Sequence, residues 1–306
     1  MTGRPFSIPD GGVILQGATG RIGRKHMALM RAYGTPIVAG VSPNADAAEV
    51  DGVPIFPTSV AAAAETGAVS SIVMVPPLQV LSAIADGIEA GLQLIVTVTE
   101  GMPVADAMRA LAMTRDAGVT WVGASTPGLA IPNKLKLGFL PDVALAPGHI
   151  GFASKSGTLS YEIGYRLVGR GFGQSAWIGV GGDPVKGTRF ADLMPYFEAD
   201  KDTHAVAIIG EIGGNEEEQL ADAIAAGACT KPVYAIIAGH SAREGVAMGH
   251  AGAMVDGNSG TIVSKINALE AAGVRVFTNI SAMIDVMSEE LTDASMSEDR
   301  NVFATQ

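Results

Sequence analysis

VILQGATGRIGRKHMALM, residues Val13 to Met30, decides the fold. A short apolar run ends at Gln16, glycines follow at 17, 20 and 23, and a stretch of helical composition begins near Arg21. Between a strand and a helix, such glycines let backbone N–H groups approach a phosphate at the helix N-terminus. Arg21, Arg24 and Lys25 add charge that suits phosphate oxygens. A polyanionic nucleotide is the expected ligand, and a glycine turn serving only helix–strand packing is the competing reading. NAD(P) would require an acidic residue, or a basic substitute, about 20 residues on at the end of the second strand. The sequence there is Val41-Ser42-Pro43-Asn44, with Asp46 and Glu49 arriving only in the following loop.

Working outward, short β-type runs alternate with alanine-rich helical stretches, which predicts α/β architecture with parallel sheets. Strands are predicted over 13–16, 36–41, 70–75, 92–98 and 119–122, with helices over 78–90 and 104–117. The segment TPGLAIPNKLKLGFLPDVALAPG, 126–148, breaks both periodicities with its prolines and is read as the domain boundary. Beyond it strands are predicted over 149–153, 175–180, 205–209, 232–237 and 275–277, a second open sheet. The expected division is a first domain over 1–145, a second over 146–292, and a mobile polar tail over 293–306.

The 306 residues suit two domains, and 48% hydrophobic content with 39 glycines describes a dense interior. A net charge of −11 without a Lys/Arg block excludes nucleic acid and anionic membranes as expected partners. The one cysteine, Cys229, fits a reducing compartment, and no apolar run resembles a signal peptide or membrane span. A cytoplasmic protein is expected.

The second half opens with GFASKSGTLSYEIG, where Ser156-Gly157-Thr158 lies between a strand and a helix. Small residues leave the first helical N–H groups open to a phosphoryl group, although an ordinary serine N-cap is the commoner use of such a turn. Of five histidines, His26, His149 and His204 read as structural, whereas His240 and His250 share GHSAREGVAMGHAGAM. His250, flanked by Gly249 and by Ala251-Gly252-Ala253, has no bulky neighbour in sequence, and imidazole is a competent nucleophile near neutral pH. A carboxylate should orient its ring. Glu211, at the end of AVAIIGE, stands where strand ends face the ligand crevice; its alternative is a solvated loop acid of the kind read for Glu216 to Glu218.

Taken in order, VTVTEGMP (96–103), SKSGTLSYE (154–162), GFGQSAWIGVGGDPVKG (171–187), IIGEIGG (208–214), TKPVYAIIAG (230–239) and GHAGAM (249–254) carry a resemblance to the α subunit of succinyl-CoA synthetase along nearly the whole chain. The resemblance implies an N-terminal Rossmann-like CoA-binding domain followed by a flavodoxin-like domain whose phosphorylated histidine is His250. It puts Glu211 beside that histidine and the receiving helix N-terminus at Ser156, Gly157 and Thr158. CoA falls to Thr19, Gly20, Arg21, Ile22 and Gly23, to Ser42 and Pro43, and along Pro76, Thr97, Thr99 and Glu100. ATP or GTP, with Mg2+, is implied on a separate ATP-grasp β subunit, and no metal site on this chain. The acid is implied near Ser125, Thr126, Pro127 and Gly128, where the chain reads GASTPG in place of the family's GPNCPG-like turn. A lysine that the family commonly carries after the second strand is also absent. Succinate is the first expectation for the acid and malate or another dicarboxylate the second. An NAD(P)-dependent oxidoreductase and a non-catalytic CoA-binding regulator are the readings from other classes.

Overall fold

The computed structural model describes residues 5–43, 48–239 and 260–303, with side chains to residue 292. The first domain runs β1 (Val13–Gln16), α1 (Arg21–Ala32), β2 (Ile37–Val41), β3 (Glu49–Val50), β4 (Val53–Phe56), α2 (Ser59–Thr66), β5 (Ser70–Val73), α3 (Val80–Glu89), β6 (Leu94–Thr97), α4 (Val104–Asp116) and β7 (Thr120–Gly123). Its sheet has the order β3-β4-β2-β1-β5-β6-β7, parallel apart from the β3–β4 pair. The chain reverses direction across the sheet between β1 and β5, so the crevice beyond their C-terminal ends is where such a sheet binds ligands.

The second domain continues with β8 (Gly128–Ile131), β9 (Leu135–Gly138), β10 (Pro147–Ser154), α5 (Gly157–Val168), β11 (Gln174–Gly179), α6 (Phe190–Ala199), β12 (Ala205–Glu211), α7 (Glu216–Ala225), β13 (Val233–Ala238), α8 (Ile262–Ala271), β14 (Arg275–Phe277) and α9 (Ile280–Phe303). The sheet order is β14-β13-β12-β10-β11-β8-β9. Its five parallel strands have the flavodoxin-like order, with the switch point between β10 and β12.

Sequence periodicity explains why these elements form and pack. Every residue of β1, β5, β6 and β12 is buried, as expected for strands covered by helices on both faces. Helix α1 buries Gly23, Met27 and Met30 at helical spacing, and α5 buries Ser160, Ile163, Gly164 and Leu167. Among the described residues, no helix is long and apolar enough to cross a membrane.

Three expectations need correction. The proline-rich segment is a β8–β9 hairpin whose β8 pairs antiparallel with β11, so the second sheet begins at Gly128, ahead of residue 146. The prolines at 127, 132 and 141 punctuate its ends rather than mark a linker. Helix α9 continues to Phe303, giving regular backbone to residues after Leu291 that show no periodicity in sequence. Glu216 to Glu218 are not loop acids but the first turn of α7, where the helix dipole favours negative charge.

Candidate functional site

At the first switch point, Gly20 caps α1 from an extended conformation without a side-chain hydrogen bond, and the first turn of α1 holds no acidic residue. A Cβ on Gly23 would lie 2.1 Å from the Gly17 carbonyl oxygen, so the loop closes onto the helix only because that position is glycine. Arg21, Ile22 and Arg24 are exposed at this end, and Arg24 meets Asp51 at 3.7 Å across an open surface. Thr19 and Ser42 are joined by a 2.8 Å hydrogen bond between their hydroxyls, tying the glycine loop to the end of β2. Pro43 is exposed beside them. The uncapped amides, absent acids and nearby guanidinium groups fit a phosphate-bearing nucleotide. Asn44 and Asp46 lie outside the described residues.

From this loop a continuous line of contacts leads to the second domain. Gly17 packs against the Met74 carbonyl at the end of β5. One residue later the Val75 carbonyl, next to Pro76, accepts from the Thr99 hydroxyl at 2.8 Å. The Thr99 carbonyl accepts from the Ser125 amide at 3.0 Å. Thr126 donates its buried hydroxyl to the Gly179 carbonyl and accepts from the Gly128 amide at 3.0 Å. Pro127 reaches the start of α5, 3.6 Å from where a Gly157 Cβ would stand. The residues expected along CoA and around the acid are thus brought together, with one exception: Thr97 is fully buried and accepts from the Trp121 indole at 3.0 Å. Its alternation partner Val98 is buried too, and the chain reaches the crevice only at Thr99 and Glu100. Glu100 lines a cleft shared with Met102, Val104, Asp183 and Val185.

At the second switch point, Ser156 caps α5 by accepting from the Leu159 amide at 3.3 Å. The Ser154 hydroxyl straps the turn, donating to the Ser156 carbonyl at 2.7 Å and accepting from its amide at 3.1 Å. Gly157 and Thr158 open the helix. Across the β10–β12 boundary stands Glu211, 6% exposed. His250 and His240 lie outside the described residues, but the flanks of the 240–259 segment do not. Ala238 pairs with Glu211, and the Gly260 carbonyl accepts from the Gly213 amide at 2.9 Å. The other histidines are elsewhere: His149 and His204 stack at 4.2 Å near the strand starts, and His26 packs on Phe139.

Sequence reasoning missed a buried charge network beneath this site. Lys155 meets Glu217 at 2.8 Å and Glu216 at 3.4 Å, Lys186 meets Glu216 at 2.9 Å, and Lys265 contacts Glu217. Burial would lower the Lys155 ammonium, but Glu217 and Glu216 outweigh it and hold its pKa above the usual lysine value. Burial prevails at Lys186, which is lowered although Glu216 opposes it. At Glu216 burial would raise the carboxyl, yet Lys186 and Lys155 pull it below its usual value. The available signal was the lysine within SKSG and the three-residue acid run placed just after a strand end.

Sequence comparison extends the geometry. The CoA binding domain family matches residues 9–101 and the CoA-ligase family matches residues 153–275. The fold and its crevices are therefore those of a two-domain CoA-ligase chain, with the CoA-binding domain first. The α subunit 2 of ADP-forming succinate–CoA ligase from Archaeoglobus fulgidus is 42% identical over 91% of this chain and 96% of its own length. The chain belongs to the α-subunit family of succinate–CoA ligases. Subunit SauD of the ADP-forming sulfoacetate–CoA ligase of Bilophila wadsworthia is 40% identical over 89% of this chain and 94% of its own length. The ATP citrate lyase of Methanothrix soehngenii, solved with citrate and coenzyme A, superposes with a TM-score of 0.83 at 20% identity. That match covers 93% of this chain and about half, 50%, of the lyase chain, and it speaks to the fold alone.

Proposed function

We propose that this chain is the α subunit of an NDP-forming acid–CoA ligase that works through phosphorylated His250, in the cytoplasm, with an ATP-grasp β subunit. The observation that carries the reading is that an anion-ready helix N-terminus at Ser156 and the carboxylate of Glu211 each stand two residues beyond the paired ends, Ser154 and Ile209, of adjacent strands at one switch point. Both flanks of the segment bearing His250 are fastened beside Glu211. Attack of the imidazole on the γ-phosphorus of ATP or GTP, bound with Mg2+ on the partner, releases the nucleoside diphosphate and leaves the phosphoryl on His250. An oxygen of the substrate carboxylate then takes that phosphoryl, freeing the imidazole and giving an acyl phosphate. Transfer of the acyl group to the CoA thiol expels orthophosphate.

The chain's own groups supply position and charge. Glu211 orients the imidazole and balances its positive form. The α5 amides behind Ser156, Gly157 and Thr158 meet the phosphoryl oxygens. Thr19 to Gly23, with Ser42 and Pro43, hold the nucleotide end of CoA, and the line through Pro76, Thr99 and Glu100 guides the thiol end towards Ser125 to Gly128. Succinate is the acid favoured by the family. The GASTPG turn keeps malate or another dicarboxylate as the second reading, and the relative named for sulfoacetate belongs to an enzyme named for an acid other than succinate.

Co-purified α and β subunits incubated with γ-labelled ATP should label wild-type α but not His250→Ala. Equal labelling of both would remove the phosphohistidine assignment. A panel of acids scored for CoA thioester then fixes the substrate, and a product from hydroxylated acids alone would replace succinate.

A further inference from the structure

We infer that Glu217 is a positioning residue that holds the two strand ends of the phosphoryl site in register, an inference that rests on the function proposed above. Its side chain is fully buried, at 0% exposure. One carboxylate oxygen accepts from the Glu211 backbone amide at 3.1 Å and from the Lys155 ammonium at 2.8 Å. The other contacts Lys265 of α8. Glycine at position 210 permits this approach, since a Cβ there would stand 2.6 Å from the same oxygen.

Where these contacts fall gives them meaning. The β10–β12 ladder ends with the Lys155 amide donating to the Ile209 carbonyl at 2.9 Å. Past that point Glu217 carries the connection, holding Glu211 by its backbone and Lys155 by its ammonium. Lys155 immediately precedes the Ser156 cap, so its placement sets the start of α5 relative to Glu211. Glu216 acts alike on the loop after β11, through Lys186, whose ammonium also donates to the Gly181 carbonyl at 2.5 Å.

Stability alone is a poor reason for such a cluster, because well-packed apolar replacements of buried ion pairs are often neutral or stabilising. Geometry is a better one, since a misplacement of about 1 Å can cost on the order of 100-fold in rate. A carboxylate has enough acceptor sites to serve an amide and two ammonium groups together.

Two double variants separate position from charge balance, each assayed in the complete αβ complex. Glu217→Gln/Lys265→Met and Glu217→Leu/Lys265→Met both remove the Glu217–Lys265 pair, but only glutamine keeps an acceptor for the Glu211 amide and Lys155. With similar Tm in both, the leucine variant should lose about 100-fold in kcat at unchanged KM for CoA, and the glutamine variant about threefold or less. Hydrogen exchange at the Glu211 amide should be at least about tenfold faster in the leucine variant, as expected for a lost buried acceptor. Equal kcat and equal exchange in the two would overturn the inference. A wild-type complex that forms no CoA thioester would instead remove the proposed function, and the exchange comparison would still decide the positioning. Should the leucine variant fail to fold, Gly210→Ala displaces the same carboxylate with Glu217 and Lys265 retained, and unchanged exchange at Glu211 would count against the tether.

Discussion

Replacing Gly23 by alanine places a methyl carbon 2.1 Å from the Gly17 carbonyl oxygen and 3.0 Å from its carbon. Ordinary contact begins near 3.4 Å, so loop and helix must separate by 3.4 − 2.1 = 1.3 Å. Both groups are backbone and cannot rotate aside; overpacking of this kind costs about 1–3 kcal/mol. The displaced amides are those proposed above to hold the nucleotide end of CoA, so on that proposal the same distortion should weaken binding by about 5- to 150-fold at 1.4 kcal/mol per decade. Gly20→Ala is the matched control. Its φ of −68° suits any residue, and its Cβ would meet only the Gly17 oxygen, at 3.4 Å. Thermal unfolding with CoA titration calorimetry should show Gly23→Ala losing stability and affinity together, and Gly20→Ala losing affinity with stability intact. If Gly23→Ala matched wild type in both, or if Gly20→Ala unfolded as easily as Gly23→Ala, the close-approach reasoning would be wrong.

Other outcomes follow from the second domain. Glu216, held below the usual carboxylate value of 4.5, contributes stability that is present above that value and lost as pH falls through its folded value. The stability difference between wild type and Glu216→Gln, followed by urea unfolding, should be constant from neutrality to 4.5 and shrink below it. Lys155, raised above 10.5, adds stability below that pH, and alkaline titration should show its loss as pH climbs through the folded value. Thr126→Val strands the Gly179 carbonyl and Gly128 amide, which urea unfolding should register as about 1–3 kcal/mol. Ser156→Ala removes the α5 cap for about 1 kcal/mol; phosphoryl labelling of the αβ complex should fall while CoA affinity, set in the first domain, stays unchanged.

Much of the fold was legible because buried parallel strands write themselves as apolar runs: β1 and β14 match their expected limits, and the limits of the remaining expected strands lie within two residues. Very short strands bounded or interrupted by proline and glycine escaped notice. The two residues of β3, the proline-bearing β4 and the hairpin of β8 and β9 depend on partners distant in sequence. At the site, small residues and strand ends were legible: the Ser125 amide meets the Thr99 carbonyl, and Ser156 and Glu211 follow the paired ends of β10 and β12. The buried charges were not, because a Glu-Glu-Glu run reads as solvated until the turn after β10, the loop after β11 and helix α8 bring three lysines to it. Thr97 failed for the opposite reason: alternation along β6 fixes which hydroxyls look outward, and Trp121 claims this one.

The outermost strand of the second sheet, β9, does not face open water. The Lys136 amide donates to the Thr35 hydroxyl at 3.0 Å, and that hydroxyl donates back to the Lys136 carbonyl at 2.8 Å. The Gly138 amide meets the Met30 sulfur at 3.4 Å. An unguarded ribbon of amides and carbonyls recruits foreign chains; here the amino-terminal half acts as its permanent sheath. Severing the polypeptide near residue 125 would therefore yield one fragment with a bare margin prone to clumping, and co-expression of both pieces should rescue its solubility.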